Sequence, residues 1–250
     1  MARPLTSRTP VRTRTKVAGA AVCSAAVVLV VLAVAGVFSG ASADSDVAGG
    51  LQARFTKIVR TVSPKVVEIR TSTGLGSGIV YDSRGDVVTN AHVVGDARKV
   101  KVRLSDGSTH PATVVGKSVG KDLAIVRLDG ATPQPATFGD SSNLEVGDLA
   151  VAIGNPLGLA SSVSQGIVSS TGRNVSEGNG VTLHSAIQTS AAINPGNSGG
   201  ALVNLSDQVI GVPTLAAIDP ELGGSTAPGI GFAIPSNTVR QVADQLIAAN

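Results

Sequence analysis

The stretch "AAINPGNSGGAL", Ala191–Leu202, sets one serine, Ser198, among three glycines, a proline and two asparagines. Gly, Asn and Pro punctuate chains, so a plain turn is one reading of it. A nucleophile is the other, because glycines free the backbone and leave room for a carbonyl to approach consecutive N–H groups. The loop alone leaves both readings open. A serine nucleophile needs a base, and the base needs an orienting acid.

Around this loop the chain reads as all-β. Hydrophobic residues make up 42% and aromatics 2%, so a core must be built from Val, Ile, Leu and Ala. From Lys65 onward, short apolar runs alternate with turn signals: "VVEIRTS", "GSGIVYD", "GDVVTN", "KVKVRLSDGST", "PATVVGKS" and "DLAIVRL". Residues 129–148 carry Pro133 and Pro135 and no strand-length apolar run, as a connection between two subdomains would. A second set follows: "LAVAIGN", "SVSQGIVSS", "VTLHSAIQT", "GALVN", "QVIGVPTLAAI" and "GIGFAIP". Two sets of about six strands predict two small β-barrels, over about 65–135 and about 140–235. "LQARFTKIVRTVSP" places Leu51, Phe55, Ile58, Val59 and Val62 at helical spacing before Pro64. "SNTVRQVADQLIAAN" predicts a closing helix over 236–249, capped by Ser236 or Asn237 and burying Val239, Val242, Leu246 and Ile247.

The N-terminus is different in kind. Residues 1–16 hold Arg3, Arg8, Arg12, Arg14 and Lys16 with no acid, a basic cytoplasmic tail. The other 15 cations face 17 acids, so the folded part shows no nucleic-acid footprint. Segment 17–39 follows, in which Val17–Phe38 is uncharged and, at about 1.5 Å per residue, long enough to cross a bilayer. "ASA", Ala41–Ala43, fits a signal cleavage site. The length favours a lasting transmembrane anchor over a signal peptide, and either one places everything after Asp44 outside the cytoplasm. Residues 40–50 read as a flexible tether and 51–250 as the main domain. Cys23, the single cysteine, lies within the apolar segment. The exported part therefore has no disulfide, thiolate metal site or cysteine nucleophile, and no metal or cofactor is expected.

Three histidines compete for the role of base. His110, beside Pro111 after the "SDGS" turn, and His184, within "VTLHSAI", read as surface or turn residues. His92 lies in "VVTNAHVV", at the end of a buried-looking strand where a barrel rim can hold it rigidly. Asp122 in "GKDLAIVRL" stands immediately before an apolar strand, whereas most other acids sit in open turns. The order is His92, Asp122, Ser198, with base and acid on the first set of strands and nucleophile on the second. "GLGSGIV", Gly74–Val80, lacks the glycine spacing and the βαβ context of a phosphate loop. Gly74, Gly76 and Gly78 read instead as a strand edge that helps shape the site.

"TNAHVV", "DLAIV", "IGNPLG", "QGIVSS", "AAINPGNSGGAL" and "GIGFAIP", in this order and spacing, resemble the protease domain of the HtrA (Deg-type) serine proteases. The resemblance runs from about Phe55 to Asn250. It implies a chymotrypsin-like double β-barrel with His92 as base, Asp122 as its orienter and Ser198 as nucleophile. The backbone N–H groups of Gly196 and Ser198, with Asn197 between them, would form the oxyanion hole. Ala192 would floor the primary substrate pocket, with Leu215, Ala216, Ala217 and Ile193 along its sides. The implied activity is endoproteolysis of unfolded or damaged proteins outside the cytoplasmic membrane; a chaperone-like or pseudoprotease binding module with a disordered active-site loop is the alternative. Members form homotrimers through N-terminal aromatic contacts, for which Phe55 is the candidate. Members commonly carry "QTDAAI" where this chain has "QTSAAI" with Ser190. Many also continue into PDZ domains, whereas this chain stops after the closing helix, as a member without them or as part of a longer one.

Overall fold

The computed structural model describes residues 47–250, apart from residues 73, 156–161, 179–180, 195 and 220–224 and the side chains of 177–178, 181, 215–219, 225–226 and 228. Residues 1–46, with the basic tail, the apolar segment and most of the tether, lie outside the described residues. Among the described residues no helix is long and apolar enough to cross a membrane.

Among the described residues, twelve strands close into two antiparallel barrels. The first holds β1 (Val66–Arg70), β2 (Leu75–Val80), β3 (Asp86–Thr89), β4 (Lys99–Arg103), β5 (Thr109–Ser118) and β6 (Leu123–Leu128), in the order β1-β2-β3-β6-β5-β4. The second holds β7 (Leu149–Gly154), β8 (Ser162–Gly178), β9 (Val181–Thr189), β10 (Ala201–Val203), β11 (Val209–Asp219) and β12 (Ser225–Pro235), in the order β10-β11-β12-β9-β8-β7. β2 pairs with β1 from Leu75 to Ile79, whereas β3 meets it only at Ile79 and Val80, so Gly76 and Gly78 lie where the second side of β2 is left without a strand partner. They are small because a Cβ would stand 2.7 Å from the Val93 side chain at Gly76 and 2.6 Å from Val87 at Gly78.

The apolar runs are unbroken because several strands are buried on both faces. In β6, Leu123 and Ile125 join a core that also takes Val151, Ile153, Ala201 and Val203 from the second barrel. Ala124 and Val126, on the opposite face, fill the first barrel. β7 repeats the device: Val151 and Ile153 face the shared core, Ala150 and Ala152 the interior of the second barrel. Successive side chains point to opposite sides of a strand, so a strand lying between two cores reads as continuous hydrophobic sequence.

Helix α1 runs through residues 47–62, taking in residues 47–50 that composition assigns to the tether, and continues as a 3₁₀ turn over Ser63–Lys65. Ile58 and Val62 enter the shared core, and Phe55 packs partly buried against it. The closing helix α3 spans Ser236–Ala248. Its first turn is not capped by Ser236, whose hydroxyl donates to the Gly139 carbonyl (2.8 Å). The connection between the barrels caps it instead: Ser141 Oγ accepts from the Asn237 N–H (3.2 Å), and Asp140 accepts from the Asn237 side-chain amide (2.7 Å). Tyr81 Oη donates to Asp244 (2.6 Å), and burial together with that bond raises the phenol well above its usual value.

Two outcomes follow. Ile153 has no exposed surface, and Ile153→Ala is expected to lower stability by about 2–5 kcal/mol, read from urea midpoints. The Asp140 carboxyl is pulled down to about 2 by the Ser142 hydroxyl first and the Asn237 amide second. A depressed folded-state value gives stability that is present above the ordinary carboxylate range, about 4, and is lost as pH falls toward 2. Thermal melts over that window should therefore fall more steeply for the parent than for Asp140→Asn.

Candidate active site

The site lies where the two barrels meet. β3 ends at Thr89, and the chain turns through Asn90 into a single helical turn, α2 (Ala91–Val94), which carries His92. The sequence predicts His92 at a strand end; the strand stops earlier, at Thr89, and Asn90, still extended, is the N-cap of the helical turn. Asn90 is fully buried, and its amide donates to the Asp122 carbonyl (2.9 Å).

Asp122 closes a 3₁₀ turn (Val119–Lys121) in the left-handed region, φ 49°, ψ 43°. That conformation costs most residues about 1–2 kcal/mol, and Asp is among the few that adopt it as single residues. It sets the carboxylate beneath His92: Nδ1 lies 2.9 Å from Oδ2 and 3.1 Å from Oδ1, and the His92 backbone N–H donates to Oδ1 (3.0 Å). Thr214 of β11 adds a hydroxyl donor to Oδ2 (2.6 Å). The Asp122 side chain is 4% exposed and that of His92 49%. A shielded carboxylate accepting from Nδ1–H keeps the proton off Nε2, so the solvent-facing nitrogen is the basic one.

Ser198 comes from the second barrel. Its hydroxyl donates to the Thr214 carbonyl (3.0 Å), so Thr214 touches Ser198 with its backbone and Asp122 with its side chain. Two successive turns build the loop. The Asn197 N–H donates to Asn194 O (3.0 Å) and the Gly200 N–H to Asn197 O (2.9 Å), with Gly196 (φ 104°) and Gly199 (φ 79°) as the third residues. Turns of this kind need a positive φ at that place, which glycine takes without steric cost. At Gly199 there is no space for anything else, since a Cβ would stand 2.2 Å from Ser77 O.

Among the described residues, the amides of Gly196 and Ser198 have no acceptor. The backbone N–H of Asn197, third of the sequence-predicted set, instead donates to Asn194 O. Two open amides beside one hydroxyl suit an oxygen that gains negative charge.

The expected pocket residues divide. Ala192 is exposed, and its carbonyl accepts from Ser164 Oγ (2.7 Å) and from the side-chain Nδ2 of Asn197 (3.2 Å). Ile193, expected along a side of the pocket, is buried in the core of the second barrel, where Gly231 makes room for it, so it supports the wall without being exposed on it. Leu215, Ala216 and Ala217 lie on β11, and their side chains are outside the described ones. Ser190 binds Ile167 of β8 twice, accepting at Oγ (3.0 Å) and donating from its N–H (3.1 Å), and so holds the approach to the loop. His110, on β5, has Nε2 3.0 Å from Ser108 Oγ, and His184 is exposed on β9; neither is hydrogen-bonded to Asp122 or Ser198. Sequence reasoning missed Asn90, Thr214, Asn155 and Ser77. Of these, only Ser77, set between two glycines, carried a local signal.

The trypsin-like peptidase domain family matches residues 76–212. The periplasmic serine endoprotease DegP of Escherichia coli is 49% identical over 175 residues, 69% of this chain and 34% of the relative. Serine protease PepD of Mycobacterium tuberculosis is 42% identical over 213 residues, 77% of this chain and 46% of the relative. The chain thus spans about a third to a half of the length of these curated relatives. Among solved structures, the HtrA-type protease AlgW with a tripeptide is similar at a TM-score of 0.68 and 38% identity, over 77% of this chain and 63% of that one. A barrel pair joined at a His–Asp–Ser seam, and likeness across most of the folded part, place this chain in the trypsin-like peptidase family, as an HtrA-type member.

Proposed function

We propose that the protein is a serine endopeptidase acting by acyl transfer. Ser198 attacks the scissile carbonyl, His92 takes and returns the proton, and Asp122 orients the imidazole. The amides of Gly196 and Ser198 hold the oxyanion. The observation that carries the reading is the His92 Nδ1–Asp122 contact at 2.9 Å, linked through Thr214 to the Ser198 hydroxyl. A binding module with a disordered active-site loop has less support, because the loop over 196–200 is held by hydrogen bonds from both barrels.

Substrates are unfolded or damaged polypeptides, in keeping with the tripeptide in the AlgW structure. The periplasmic relatives support a site of action outside the cytoplasmic membrane. Retention there by segment 17–39, and a homotrimer formed through the segment around Phe55, complete the reading; the ring of Phe55 already contacts its own core. The domain so assigned is 51–250.

Ser198→Ala and His92→Ala are expected to abolish hydrolysis of unfolded casein without unfolding the protein, since losing a triad member leaves only about 10³–10⁴-fold catalysis over water. Asp122→Asn should lower turnover by about 10⁴-fold through the wrong tautomer. Casein cleavage by Ser198→Ala at the parent rate would remove the nucleophile assignment.

Bond choice gives a second outcome. Ala192, Leu215, Ala216 and Ala217 carry no charge, so a buried substrate Lys or Arg would lack a partner and be penalised. Cleavage sites mapped by mass spectrometry should follow Val, Ala, Ile or Leu. Preference among these should be shallow, because one methylene is worth about 1–3 kcal/mol. A dominant Lys/Arg signature would contradict the pocket.

A further inference from the structure

We propose that Ser77, on β2 of the first barrel, is a positioning residue for the oxyanion-binding backbone of the second; the proposal rests on the serine-endopeptidase reading above. Ser77 is fully buried, and all its polar atoms are engaged. Its N–H donates to Ser198 O (2.9 Å), and its carbonyl accepts from Thr89 Oγ1 (2.7 Å). Its hydroxyl lies 2.8 Å from the Asn155 N–H and 2.5 Å from Gly196 O. The Asn155 N–H can only donate, so the single hydroxyl proton goes to the Gly196 carbonyl. That direction is fixed by the partners.

A peptide unit is planar, so fixing its C=O also fixes the N–H on its other side. The bond to Gly196 O sets the Gly196–Asn197 unit, whose N–H meets Asn194 O. The bond to Ser198 O sets the Ser198–Gly199 unit, whose N–H meets Pro213 O at 3.0 Å. Between them lies the Asn197–Ser198 unit, which presents the open Ser198 amide. Ser77 therefore holds the units on either side of that amide, one with its side chain and one with its backbone. The Gly196 carbonyl is also crowded from behind: a Cβ at Gly154 would stand 2.8 Å from it. Without the Ser77 hydroxyl, Gly196 O and the Asn155 N–H would each lose their partner, and the Gly196–Asn197 unit would be held at its N–H end alone, by the bond to Asn194 O. The oxyanion amides would then lose their registration with the hydroxyl of Ser198.

The test uses the full chain, a peptide substrate with Val before the cut, and a peptidyl boronate of the same sequence, whose tetrahedral adduct places an oxygen between the two amides. Ser77→Ala is expected to lower kcat about tenfold or more, a part of the 10²–10³-fold cost of removing an oxyanion donor outright. KM should stay within about twofold, and boronate affinity should fall in step with kcat. Ser77→Cys keeps the shape but donates weakly, so it should lie between parent and Ser77→Ala; it carries the test alone should the alanine variant not fold. A merely structural role would lower the melting temperature while leaving kcat and boronate affinity of the folded variant at parental values, and that result overturns the proposal. Parental activity in Ser198→Ala would overturn the endopeptidase reading itself, and the proposal with it.

Discussion

A carboxylate buried at the seam of two barrels cannot be left without donors, and the arrangement around Asp122 follows from that. An unpaired buried charge costs several kcal/mol. Asp122 is supplied by the backbone and ring of His92 from one side and by the Thr214 hydroxyl from the other. The first two come with α2 of the first barrel, the third with β11 of the second. Meeting this one requirement draws both barrels to a common point and fixes the imidazole tautomer. The Thr214 backbone then brings in Ser198. Structure and chemistry share the same bonds.

Close approach is the second constraint. The loop over 196–200 is wedged between the barrels: a Cβ at Gly199 would stand 2.2 Å from Ser77 O of the first, and on the side of the second a Cβ at Gly200 would stand 2.4 Å from Ile153 O and one at Gly154 2.8 Å from Gly196 O. Such packing excludes water and leaves few alternative loop conformations. The shared core behind it, with Val66, Ile79, Leu123 and Ile125 from one barrel and Val151, Ile153 and Val203 from the other, keeps the seam from sliding.

Much of this was legible in the residues, and the parts that were not have physical reasons. Apolar runs such as "DLAIVRL" and "LAVAIGN" mark doubly buried strands, so strand positions and the two-barrel grouping could be read directly. His92, Asp122 and Ser198 stood out because each sits in an unusual context for its type. The helical turn at His92 was hidden, since "VVTNAHVV" is as apolar as a strand and only the buried Asn90 amide marks the break. Gly76 and Gly78 could be read as an edge, and β3 indeed stops short of them, but sequence does not show that Val93 and Val87 fill the space of their missing side chains. Thr214 and Asn155 are ordinary polar residues whose partners are distant in sequence. The resemblance put Ile193 along a side of the pocket, and the structure buries it in the core of the second barrel.

The central claim is that folding brings the two barrels together to make one serine hydroxyl, that of Ser198, nucleophilic. Reaction with a fluorophosphonate, followed by peptide mass spectrometry to locate the phosphonyl group, tests it most directly. The account predicts the label on Ser198 of the folded protein, and none when the chain is unfolded in urea or when His92 is replaced by alanine. A label on another serine, or equal labelling of the folded and unfolded chain, would contradict it.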